Sequence, residues 1–451
     1  MRGIHSTAPT RATLSPRAMA AVALAVVTAA VVANHGFNLV MAARGFGHPW
    51  STFLMAPSDR YADTFKMALS YPGAPLHPAV TDWGLGDLYA RYSAEVRHAE
   101  GTIATHFHMP PVETLYAVLL RAGMSRVDPA LLFLAIFGGG LMLLYAAVIR
   151  AAPRGAEAAA WGALALVCYP TLFLLDRGHV FALVGGVGLI WGTVDPLVRG
   201  RVSRWALVGM ALALNMRPNA AIIPLAMWLV GRGWRTRDMV ALGLVGAVML
   251  VGALVAAHAL YPAYDLARWR LGLDQYQKLY FANTIGVIYG SALYGALRVF
   301  SPPNMMVTAL PMLVGGLVWG FAVIGGWRKS LRDAELIFLF ATAYCLTGAV
   351  FNDYHLLIFI APMLLLAHDG GVRDGRGWAI FAACLFVLAP KNYAFVPQEP
   401  IPWSWQVVAN PLALLVASVV VLTLSRRAQG SDGKAIVSLR AEPAQRGRPA
   451  A

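Results

Sequence analysis

The sequence predicts an all-α fold, a polytopic transmembrane helix bundle, and three observations carry that prediction. Of 451 residues, 58% are hydrophobic and 13% charged, with a mean hydropathy of +0.60. A soluble domain carries about 25% charged residues. The apolar residues come in blocks close to the ~20 residues a helix needs to cross ~30 Å of hydrocarbon. Basic residues gather in the short segments between blocks, the pattern that holds Lys and Arg on the cytoplasmic side. The net charge of +14, from 36 Lys+Arg and 22 Asp+Glu, therefore reads as topology and contact with anionic membrane lipids, not nucleic-acid binding. Such apolar content also excludes disorder as the main state. Cys168, Cys345 and Cys384 each lie inside an apolar run without close spacing, which predicts neither a metal site nor a disulfide framework.

Each element follows from the alternation of apolar runs and arginines. Residues 1–17, with Arg2, Arg11 and Arg17, read as a cytoplasmic N-terminus. The run 18–43 is long and lacks a clear cleavage site, so it reads as an uncleaved anchor. Runs 128–150, 157–175 and 179–195 alternate, with arginines after the first and third. The stretch 205–230 is interrupted at Met216-Arg217-Pro218-Asn219 and has arginines at both ends. Proline removes a backbone donor and breaks the helix, so this stretch reads as a broken re-entrant pair, tolerable at membrane depth only beside protein or a water-filled cavity. Runs 238–260, 305–327, 333–350, 354–368, 377–390 and 407–425 complete the domain, 18–425. The count is about ten full spans plus the broken pair. The tail, 426–451, is basic and rich in Gly, Pro and Ala and reads as a disordered cytoplasmic extension.

This topology leaves two outer loops, 44–127 and 261–304, and acids concentrate in the first. Ser58 is placed to cap a short helix that carries Asp59 and Asp63 four residues apart, on one face. Two like charges on one face raise at least one carboxyl pKa, which suits a general base; the competing reading is a solvated, capped surface helix. His106-Phe107-His108-Met109-Pro110-Pro111 precedes an apolar stretch too short to span, which reads as a second short helix lying in the outer interface. His-x-His lacks a third ligand at a recognisable spacing, so His106 and His108 read as interfacial or substrate contacts and no metal is expected. Asp176-Arg177-Gly178-His179 makes a tight turn between two spans. Arg177, on the face that positive charge avoids, suits a phosphate; its alternative partner is Asp176 or another loop acid. Asn352-Asp353-Tyr354-His355 makes a second polar turn on that face. Lys278 in the second loop is a further candidate, and Arg217 either faces a cavity or marks an end of the broken pair.

Taken in order, these segments resemble a known family: Asp59-Arg60-Tyr61-Ala62-Asp63 after the first span, the Pro110-Pro111 helix, Asp176-Arg177-Gly178-His179, Leu214-Asn215-Met216-Arg217-Pro218 and Asp353-Tyr354-His355-Leu356-Leu357. The chain is similar to the GT-C integral membrane glycosyltransferases, nearest to glycosyltransferase family 87, the polyprenyl-phosphate-mannose-dependent α-mannosyltransferases. It departs from that pattern in having His108-Met109 before the Pro-Pro pair and Arg217 directly before the proline of the broken helix. The resemblance implies a GT-C-type bundle in the inner (plasma) membrane, with both termini cytoplasmic and the active site on the extracytoplasmic face. It implies transfer of mannose or another sugar from a polyprenyl-phosphate donor to a glycolipid or glycan acceptor, without a cofactor. Asp59 would be the general base with Asp63 as its alternate, and Arg60, His106, His108, Arg177, His179, Lys278, Asp353 and His355 would contact substrate. Two other readings remain: a transporter or lipid-carrier flippase, and a noncatalytic subunit of an envelope-polysaccharide assembly.

Overall fold

The computed structural model describes residues 13–46, 129–260, 290–348, 351–397 and 403–424, with isolated helical positions within 111–118 and 266–273. It is all-α apart from one two-stranded antiparallel hairpin. Helix α1, Pro16–Ala43, starts where Ser15 Oγ accepts the Ala18 N–H at 3.3 Å and Pro16 occupies the first turn. After α2, Pro129–Ala151, the expected span 157–175 is two helices, α3 Glu157–Val167 and α4 Tyr169–Arg177, bent by 44°. Pro170 sits in the first turn of α4 and has no N–H to continue the ladder of α3. Gly178, with φ +70°, closes α4, and His179 Nδ1 accepts the Ala182 N–H at 3.3 Å to open α5, Val180–Arg199.

The predicted interruption is present. Helix α6, Arg204–Met216, stops at Arg217; a 3-10 turn, Pro218–Ala221, leads into α7, Ile222–Leu229. Helix α8, Thr236–Leu260, follows, then α9 Leu293–Phe300, α10 Met305–Trp327 and α11 Asp333–Thr347. A 3-10 segment, Asp353–Phe359, runs into α12, Ile360–His368. Helix α13, Gly375–Leu388, precedes β1 Phe395–Val396 and β2 Trp403–Ser404, and α14, Gln406–Thr423, ends the described chain. Helix α9 falls inside the stretch read as outer loop 261–304.

Among the described residues, five helices, α1, α5, α8, α10 and α14, are long and apolar enough to cross a bilayer, and the bent α3–α4 pair makes a sixth if it is one span. That is fewer than the ten crossings expected from apolar runs. Three of the expected crossings are short: prolines and polar caps leave α11, α12 and α13 with only 15, 9 and 14 residues.

The two ends of the bundle differ in chemistry. At one end Glu335, wholly buried, accepts Arg332 Nε at 2.8 Å and Arg376 Nη1 at 3.4 Å. Arg332 also reaches Asp374 at 2.9 Å, and Arg232 reaches Asp333 at 3.0 Å. Arg376 Nε donates to the Leu424 carbonyl at 2.7 Å, and Leu14 exchanges two backbone bonds of 2.9 Å with Val372. His368 Nε2 lies 2.8 Å from the Ala151 carbonyl. The starts of α1, α11 and α13 and the ends of α2, α7, α12 and α14 therefore meet at one basic end. The pairing of these termini follows the alternation expected from the arginines.

Candidate functional site

At the opposite end the turn before α12 brings four chain segments together. Asn352 pairs with Gly290 in an isolated bridge, and the Ser291 N–H donates to the Phe351 carbonyl at 2.9 Å. These bonds set Asp353 against Ser291. Its carboxylate is fully buried: Oδ1 accepts from Ser291 Oγ, and Oδ2 accepts from Tyr169 OH at 3.0 Å and Gln406 Nε2 at 2.8 Å. Gln406 Nε2 also donates to Tyr169 OH at 2.5 Å, and Asn410 Nδ2 donates to Ser291 Oγ at 2.7 Å. Asp353 thus ties together α4, α14 and the turn before α9. It was expected to touch substrate; the structure turns its carboxylate into the protein.

The next residue faces the helix break. Tyr354 OH accepts Arg217 Nη2 at 3.3 Å and Asn352 Nδ2 at 2.7 Å. Its ring lies 5.0 Å from His179, 4.4 Å from His355 and 6.0 Å from Phe173, centroid to centroid. Tyr169 stacks on Phe173 at 5.8 Å, so α4 supplies a two-ring wall at spacing i, i+4. Arg217 occupies the break because the turn at Pro218 ends α6 there, and the half-buried guanidinium extends to Tyr354. Its charge acts on both His355 and Tyr344. The His355 Nε2 and Tyr344 OH atoms are buried without a hydrogen-bond partner among the described residues. Buried polar atoms are nearly always satisfied, by protein, water or ligand. One guanidinium, one imidazole and two phenols thus gather near the break in the helix. The guanidinium suits a phosphate, because its planar fork matches phosphate oxygens.

The structure therefore brings together Asp353, His355, His179 and the end of α4 that carries Arg177. His179 serves as the cap of α5 as well as a neighbour of Tyr354. Asp59, Arg60, Asp63, His106, His108 and Lys278 lie outside the described residues. Pro111, Thr114 and Val118 are helical, and Thr114 Oγ1 donates to the Ala253 carbonyl of α8 at 2.6 Å. Tyr169, Ser291, Gln406 and Asn410 were not singled out from sequence. For two of them a signal exists: Gln406 and Asn410 sit one turn apart at the start of an apolar run, and polar groups there face the bundle interior.

Among the described residues no three His, Cys, Asp or Glu side chains gather as a metal site would require. No family model matches the chain, and neither a curated protein nor a solved structure does.

Proposed function

We propose that the protein is an integral membrane glycosyltransferase that moves a sugar from a polyprenyl-phosphate donor to a hydroxyl of a glycolipid or glycan on the extracytoplasmic face. The observation that carries this reading is the convergence of Arg217, Tyr354, His355 and Tyr344 at the helix break, at the end of the bundle away from the basic network. The resemblance in the order of its motifs supports the same assignment. In this scheme the acceptor oxygen attacks the anomeric carbon, and the bond from that carbon to the phosphate oxygen breaks. The acceptor proton passes to the carboxylate of Asp59, or of Asp63. The departing phosphate takes the bond's electron pair, and Arg217, His355 and Tyr354 stabilise the charge it gains. Arg177, one turn from Phe173 on the wall of the same site, adds a second cation. About ten crossings follow if the shorter helices also traverse the membrane.

The test is transfer from radiolabelled polyprenyl-phosphate sugars in proteoliposomes, with Asp59→Asn, Asp63→Asn and Arg217→Gln. Loss of turnover in one aspartate variant and in Arg217→Gln is expected. Full turnover in both aspartate variants overturns the assigned base. The second reading, a lipid-carrier flippase, draws on the break at Arg217 inside the bundle; movement of labelled carrier across the bilayer without a glycosyl product would establish it instead.

A further inference from the structure

The basic end holds two kinds of arginine. Around Glu335 each of Arg232, Arg332 and Arg376 meets a carboxylate. A separate corner, where α2, α5 and α6 end or begin, differs. Arg150, Arg154, Arg201 and Arg204 are exposed there and have no acidic partner among the described residues; only Arg199 is paired, with Asp195 at 2.6 Å. Arg150 and Arg199 flank a small cavity of about 20 Å³ between α2 and α5, lined also by Trp191, Val194, Asp195 and Val198. The Trp191 indole N–H is buried without a partner. Above Arg150, Met142, Leu143 and Ala146 form an exposed apolar stripe along α2. On the other flank Trp205, beside Arg204, is also exposed.

We propose that this corner binds the headgroup of an anionic glycerophospholipid. Charge selects the ligand: an uncompensated arginine cluster needs an anion from outside the protein, and the inner leaflet of a bilayer supplies phosphate esters at that depth. Geometry selects a lipid over a free anion. The arginines sit at the foot of an apolar stripe that an acyl chain can follow, and tryptophans mark the water–hydrocarbon boundary on both flanks. Arg150 contacts the phosphate, while Arg199, already held by Asp195, closes the side of the cavity. The site is independent of the transfer reaction and rests only on the bundle's being in a membrane.

The test is native mass spectrometry of the full-length protein in detergent with phosphatidylglycerol and phosphatidylethanolamine added together. The wild type is expected to retain phosphatidylglycerol preferentially. Arg150→Gln combined with Arg154→Gln and Arg201→Gln should weaken that retention on the order of 100-fold, since each of the three basic residues near an anionic lipid contributes on the order of 1 kcal/mol. Arg235→Gln with Arg328→Gln, exposed arginines of the same end that do not line the cavity, should leave it unchanged. Equal loss in both sets would mean general surface electrostatics and overturn the site. Unchanged retention in the first set would also overturn it. Complete displacement of the lipid by inorganic phosphate would reassign the corner to a small anion and overturn the lipid assignment.

Discussion

Asp353 and Arg217 show how neighbouring residues divide the work of the polar end. Every oxygen of the Asp353 carboxylate is engaged inside the protein. Replacing it by Ala leaves Ser291, Tyr169 and Gln406 with buried groups that have lost their acceptor, at a cost of about 3 kcal/mol. Asp353→Asn keeps one acceptor and should cost less. Thermal unfolding in detergent should therefore rank wild type, Asn and Ala in that order, and equal midpoints would show the network to be dispensable. Arg217 donates to Tyr354 OH and sits at the break. Its loss should act on the reaction, lowering kcat/KM on the order of 100-fold in Arg217→Gln, as removal of a charge-stabilising donor does. Arg217→Lys keeps the charge without the fork and should recover only part of the rate. From sequence, Asp353-Tyr354-His355 was legible as a polar turn. That its aspartate points inward was not, because direction depends on Ser291, Tyr169 and Gln406, distant residues that only the tertiary fold assembles.

At the scale of elements, helix ends and one close crossing set the architecture. Asp374 Oδ1 caps α13 by accepting the Gly377 N–H at 2.8 Å, and it also takes Arg332. Burial alone would raise its carboxyl, but the Gly377 N–H and the Arg332 charge outweigh burial and hold it below the ordinary 3.8. A carboxyl held low stabilises the fold fully above its ordinary value, and this stabilisation is lost as pH falls through the folded value. Asp374→Asn keeps a competent cap and removes the charge. Its midpoint should sit below wild type at neutral pH, and the gap should close in strongly acidic buffer. Asp374→Ala loses the cap as well and should cost about 1 kcal/mol more. The α5–α6 crossing is tighter still: a Cβ on Gly188 would fall on the Gly209 carbonyl, a backbone atom that cannot move aside. Small residues permit such backbone contact in membranes, so Gly188→Ala should reduce recovery of folded protein far more than Gly243→Ala, whose added methyl meets open space. The broken helix, the caps and most run boundaries were legible, since Pro, Ser and Asp announce them locally. The bend at Cys168 was missed because Pro170 sits only three residues past the end of α3, within a largely apolar run.

Among the described residues, the long helices α8 and α10 lie outside, while the short α11 and α12 and the long α5 lie within. Helices α8 and α10, of 25 and 23 residues, bury only a minority of their side chains, whereas α11 and α12 are buried almost from end to end. At 1.5 Å per residue, a helix of 13–15 residues rises only about 20–23 Å, against ~30 Å for the hydrocarbon. Helices α6, α11 and α13 start at the basic end, at Arg204, Arg332 and Asp374, and run towards the polar end. Under the proposed function, the cluster at Arg217 and Tyr354 would sit below the rim set by the long helices, in a recess open on the face opposite the basic network. Such a recess admits a lipid-linked headgroup from the bilayer side while keeping water near the charges. Sided labelling tests it. The native cysteines are buried, so Arg235→Cys, Met305→Cys and Asn219→Cys, at three exposed positions, report their own surroundings to a membrane-impermeant thiol reagent. Arg235→Cys should react from the cytoplasmic side alone and Met305→Cys from the other side alone. Asn219→Cys, at the break, should react from the same side as Met305→Cys but more slowly, because the reagent must enter the recess. Reaction of Asn219→Cys from the side of Arg235→Cys would place the break at the wrong end of the bundle, and the phosphate site at Arg217 would go with it.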